Sequence, residues 1–137
     1  MQNRGRASVS SDSSGPIWPA RTSYPLPASP SSARLARRLM RDALQGCPDT
    51  LVDVAELLVS ELVGNAVKHA SSAPIMSIDV DSGVVHVAVQ DDSSSLPDVQ
   101  KSDPDADCGR GLLLVESLAT SWGWSMTPGG KRVWFTL

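Results

Sequence analysis

The chain has 137 residues with a formal net charge of −3 and an apolar fraction of 41%. That length suits one domain with a real core. The charge gives no basic face for nucleic acid, and no apolar run reaches the roughly 18–20 residues of a membrane span. The N-terminus is Ser-rich without an apolar signal core, so a cytoplasmic protein with two reduced cysteines, Cys47 and Cys108, is expected.

Residues 1–21 are polar and aperiodic, and read as a disordered arm; residues 22–137 read as the folded domain. "TSYPLPASP" (Thr22–Pro30) can hold a short edge strand ending at prolines. A first helix follows, capped by a serine, with Leu35, Leu39 and Ala43 as its apolar stripe and Gly46 and Pro48 ending it. Its cations Arg34, Arg37, Arg38 and Arg41 read as a solvated face or a docking surface.

A second helix is expected from Asp49 to about Ala70, with acids in its first turns and Lys68 and His69 in its last. Val52, Ala55, Val59, Leu62, Val63 and Ala66 form its core face. Glu61, Asn65 and Lys68 fall within about 60° of one another on a separate stripe. A helix end emerging into water explains that stripe. So does chemistry: the Asn carbonyl is a hard ligand for Mg²⁺, Lys can meet a phosphate, and Glu can take a proton.

Ile75–Val80 and Val84–Val89 bracket a "DSG" turn and predict a hairpin. Asp91 comes straight after the second strand, where a carboxylate can accept from an exocyclic amine, although such strand-to-loop transitions are common. The stretch from Asp91 to Gly111 is aperiodic and acidic, and loops of that length inside a domain are usually functional. Gly109 and Gly111 lie before an apolar helix, "GLLLVESLATSW", where backbone N–H groups can approach a phosphate; a flexible loop end fits as well. Leu114 stands where a dinucleotide fingerprint needs a third glycine. A second hairpin around "PGG" closes the chain, and "PGGKRV" lacks the hydroxyl of a Walker loop. Sequential strands pairing antiparallel under three helices give an α+β two-layer sandwich.

Taken in order, E-L-x-x-N-A-x-K-H, V-x-D-x-S, G-R-G-L-x-L-V and "GGKRVWF" resemble the RsbW-type anti-sigma-factor serine/threonine kinases. These belong to the GHKL superfamily of histidine-kinase, gyrase and MutL-type ATP-binding domains. The resemblance spans about Thr22 to Leu137. It implies a Bergerat-type ATP-binding fold with a mostly antiparallel, mixed sheet and about three helices on one face. It implies Glu61 as general base, Asn65 as ligand of Mg²⁺ on ATP, and Lys68 beside the phosphates. Asp91 would recognise the adenine amine with Ser93 nearby, the Asp91–Gly111 loop would be a lid, and Gly109, Arg110, Gly111 and Leu112 would wrap the phosphates. Implied partners are a sigma factor, an anti-anti-sigma (STAS-type) protein phosphorylated on Ser or Thr, and a second copy in a homodimer, with no nucleic acid or membrane. Ser93 and Arg132 stand where related domains often carry Gly and Thr.

Overall fold

A computed structural model describes residues 22–69, 72–93 and 107–137, with side chains of the last segment described from Leu112 onward. The arm before residue 22, and most of the long acidic loop, lie outside the described residues. The elements in chain order are β1 (Thr22–Pro25), α1 (Ser32–Ala43), α2 (Asp49–His69), β2 (Ile75–Asp81), β3 (Val84–Asp91), α3 (Asp107–Leu118), β4 (Ser121–Thr127) and β5 (Gly130–Thr136).

The strands form one sheet in the order β1-β2-β3-β5-β4. Every pairing among them is antiparallel, so the expected parallel component is not found among the described strands. β3 is the middle strand. Its valines explain this: a strand buried on one face and flanked on both edges needs β-branched residues throughout. The register sets Met76 opposite Val89, Ile78 opposite Val87, Val87 opposite Phe135, and Trp122 opposite Phe135. All of these belong to one buried cluster together with Ala55, Leu58, Val59, Leu62 and Val63 of α2. The three helices therefore share one face of the sheet, and the α+β sandwich stands.

The turn between β2 and β3 places Ser82 at φ 53° and Gly83 at φ 80°. Two consecutive residues at positive φ make the tight hairpin turn that matches strand twist. The "DSG" reading is thus a two-residue hairpin with serine in the position where asparagine or glycine is favoured.

α1 differs from expectation by one residue around its axis. Ala36, Met40 and Leu44 are fully buried, whereas Leu35 and Leu39 are half-buried and Ala43 is exposed. Arg41 reaches across to α2, where its Nε donates to Glu56 at 2.8 Å and its Nη2 at 2.9 Å. Arg41 nevertheless stays exposed, with its side chain 69% accessible, so it remains on the solvated face while pairing with α2. The hydrogen bond to Glu56, and then its charge, raise the Arg41 pKa above the ordinary value. Ser31 sits at the N-cap position in helical geometry, and its hydroxyl faces that of Ser29 at 3.0 Å rather than capping the helix. On α2, Leu58 is buried where the spacing had placed Val52, which is half-buried.

α3 begins at Asp107, so Gly109 and Gly111 lie inside its first turns rather than ahead of it. Ser121 and Trp122, expected at its end, belong to β4. The Trp122 indole N–H donates to Glu116 at 3.2 Å and ties the helix to that strand.

Candidate functional site

Side chains alternate across a strand, so residues two apart share a face. On β3 the helix-facing row runs Val85, Val87, Val89, Asp91; on β5 it runs Phe135, Val133, Lys131. The apolar rungs give out at the last step, where Asp91 stands opposite Lys131. Asp91 is the final residue of β3 and is 7% exposed, so it lies within the strand rather than after it. Lys131 is 8% exposed and its Nζ donates to Asp91 Oδ1 at 3.2 Å. The same oxygen accepts from the backbone N–H of Ser93 at 2.8 Å.

This small turn explains how Ser93 serves where a glycine was expected. The Asp91 carboxylate folds back on the chain two residues later, and Ser93 is buried at 7%. Its φ is not positive; among the described non-glycine residues only Ser82 has that geometry. Gly130 completes the corner. A Cβ there would run into the Asp91 carbonyl oxygen and lie 2.6 Å from the Asp92 Cα. Only glycine lets the start of β5 come this close to the end of β3.

Lys131 is the residue that sequence reasoning missed. Attention fell on Arg132, which stands where related domains often carry threonine. Its register partners Gln90 and Ser125 put Arg132 on the opposite face of the sheet, and burial lowers its pKa. Counting by twos back from Phe135 would have found Lys131 on the core face.

On α2 the polar stripe keeps its expected form. Glu61 and Asn65 are half-buried, and Lys68 and His69 are exposed. Among the described residues, neither the Glu61 carboxylate nor the Asn65 amide has a hydrogen bond or ion pair. Both groups are half-covered, one turn apart, and not among the buried unsatisfied atoms, so water or a ligand can meet them. No direct bond joins them to Asp91. Leu112 is buried at 5% in the core cluster, so its side chain is structural; the side chains of Gly109, Arg110 and Gly111 lie outside the described residues. The backbone N–H groups of the first turn of α3 remain the part of that motif able to meet a phosphate.

Among the described residues no group of three or more His, Cys, Asp or Glu could hold a metal ion by itself. Asn65 offers one hard, uncommitted oxygen, which fits Mg²⁺ held jointly with phosphates. Among the described residues no helix is long and apolar enough to cross a membrane.

The described residues thus form a helix-covered antiparallel sheet of the two-layer type, with an acid at the end of its middle strand and a polar stripe on the covering helix. Residues 26–137 match the family model of the histidine kinase-like ATPase domain, and the chain belongs to that family. Domains of this family bind ATP, usually with Mg²⁺. No curated protein matches the chain.

Proposed function

We propose that this domain is an anti-sigma-type serine/threonine kinase. It binds Mg-ATP with the base against Asp91 and the phosphates near Asn65, Lys68 and the first turn of α3. It transfers the γ-phosphoryl group to a Ser or Thr hydroxyl of a small anti-anti-sigma partner. In the alternative complex it holds a sigma factor inactive, as a cytoplasmic homodimer. The observation that carries this reading is the pair Glu61 and Asn65, half-buried one turn apart, with no hydrogen-bond or ion-pair partner among the described residues.

The chemistry follows from the donor set. Bound Mg²⁺ supplies charge neutralisation at the phosphate oxygens. Asn65 contributes a neutral oxygen to that ion, so it adds no repulsion to the phosphates. Glu61 accepts the proton of the attacking hydroxyl as the new O–P bond forms and the β–γ bridge breaks, releasing ADP. Lys68, exposed at the helix end, can reach the phosphates without a desolvation cost.

A second reading keeps the fold and the partner complex without phosphoryl transfer. The 3.2 Å contact of Lys131 with the base-recognising carboxylate is what favours it. The two separate in one experiment. Under the kinase reading, labelled phosphate moves from ATP to an anti-anti-sigma partner, Glu61→Ala stops transfer while ATP still binds, and Asn65→Ala loses Mg-dependent binding. Absence of Mg-ATP binding at millimolar nucleotide sinks the kinase reading. Binding without transfer, with partner capture unaffected by Glu61→Ala, establishes the sequestering module instead.

A further inference from the structure

The Asp91–Lys131 contact has the wrong inventory for a purely structural ion pair. An ammonium has three N–H donors and a carboxylate has two accepting oxygens. Lys131 spends one donor, on Asp91 Oδ1, and has no other bond to a described residue. Oδ1 is filled by Lys131 and the Ser93 N–H, while Oδ2 accepts nothing from a described residue. Both side chains are at least nine-tenths covered, at 10% and 4% exposure. Buried ionic groups persist when their remaining bonding capacity is met, and half-satisfied ones are costly. The pair therefore presents an unspent donor beside an unspent acceptor. It does so on the helix-facing row, one step beyond Val89 and Val133, where the apolar core stops.

That pattern is the complement of a purine edge. Adenine presents an amine donor at N6 next to an acceptor at N1. Guanine presents an N1–H donor next to the O6 acceptor. A lone carboxylate reads the adenine amine and repels guanine, because O6 would face an oxygen with no proton between them. An ammonium beside that carboxylate removes the repulsion.

Resting on the nucleotide-site reading above, we infer that Lys131 is a base-contacting, specificity-determining residue. With Asp91 it makes the pocket accept guanine as well as adenine nucleotides. Asp91 Oδ2 takes the base donor, N6–H of adenine or N1–H of guanine, and Lys131 donates to the adjoining acceptor, the two bases docking with opposite ring faces up because their edges carry donor and acceptor in opposite order. The geometry assigns no such part to Arg132, which lies on the other face.

The test is a set of Mg-ATP and Mg-GTP titrations, by calorimetry or equilibrium dialysis, on the full chain and on Lys131→Met. The wild-type protein should bind the two nucleotides within about tenfold of one another. Lys131→Met loses a donor to either base, but it also leaves guanine O6 facing the Asp91 carboxylate with no proton between them, so the GTP-to-ATP ratio of dissociation constants should rise about 10- to 100-fold. Merely weakening the fold would move both nucleotides together, so the ratio isolates base reading. An unchanged ratio in a folded Lys131→Met overturns the inference. Wild-type protein that binds ATP and rejects GTP by about a thousandfold or more also overturns it, and leaves the nucleotide site standing. That wild-type comparison holds even where the variant does not fold. Binding of neither nucleotide refutes the site and the inference together.

Discussion

Replacing Gly130 by alanine puts a methyl group where β5 meets the end of β3. It would collide with the Asp91 carbonyl oxygen and lie 2.6 Å from the Asp92 Cα and 2.9 Å from the Asp91 carbonyl carbon. Carbon contacts are comfortable at about 3.5–4.0 Å, so the two strand ends must part by about 1 Å. All three contacts are backbone, and no side chain can swing aside. Overpacking of this kind costs about 1–3 kcal/mol, against about 0.4–1 kcal/mol that alanine returns by restricting the unfolded chain. The net loss is about 1–2 kcal/mol. For a domain of roughly 110 residues the unfolding entropy is about 0.23 kcal/mol/K, which converts the loss to a fall of about 4–9 °C in Tm. Gly129 is the control one residue away. A Cβ there meets nothing within 4 Å, and its φ is not positive. Gly129→Ala should leave Tm unchanged or raise it by up to about 4 °C. Thermal melts followed by circular dichroism compare the two, with a Mg-ATP titration on each. Gly130→Ala should also weaken nucleotide binding, because the displaced backbone carries Asp91. If the two variants melt together and bind alike, the close approach of β5 to Asp91 is refuted.

Ser82→Asn should raise stability by up to about 1 kcal/mol, because asparagine adopts the φ of 53° more readily than serine; a urea midpoint that falls would show that the turn is of another type. Phe135→Ala, at a fully buried position on β5, should cost about 3–5 kcal/mol; against a total stability of about 5–15 kcal/mol this brings the urea midpoint down by about a fifth or more. A midpoint within error of wild type would mean that Phe135 is not in the core.

The two hairpins were legible because each binds an apolar run to its neighbour through a short turn. Ile75–Asp81 and Val84–Asp91 carry their own register in the Ser82–Gly83 turn. The pairing of β3 with β5 was not legible, since no local signal links Asp91 to Lys131 across the intervening chain. Lys131 escaped notice for the same reason: its burial depends on a cross-strand neighbour, not on its own sequence context. Periodicity located α1 but fixed its orientation only to within one residue, which is 100° of rotation. Long-range contacts decide the remainder, namely small Ala36 packed inward and Arg41 forked onto Glu56. The Glu61–Asn65 stripe could be read directly, because a helix displays its own faces. Gly109 and Gly111 misled, since glycine suggests a loop while an acid at Asp107 favours starting the helix earlier.

Asp91 and Lys131 are 40 residues apart in sequence yet meet at the last rung between β3 and β5. If Asp91 and Lys131 hold a base as proposed, that pocket is complete only once β5 has paired with β3. A chain that has formed its first hairpin but not docked its last would have only half of that proposed pocket. Contacts of this span form slowly, because loop closure comes before any stabilisation. A nucleotide bound there selects the fully assembled chain and adds RT ln(1 + [L]/Kd) to its stability. At a nucleotide concentration of about a hundred times Kd that is about 2.7 kcal/mol, a large share of the margin by which a domain of this size stays folded. The cell's nucleotide supply would then act on this protein as a folding chaperone of the simplest kind, rewarding molecules whose two hairpins have met.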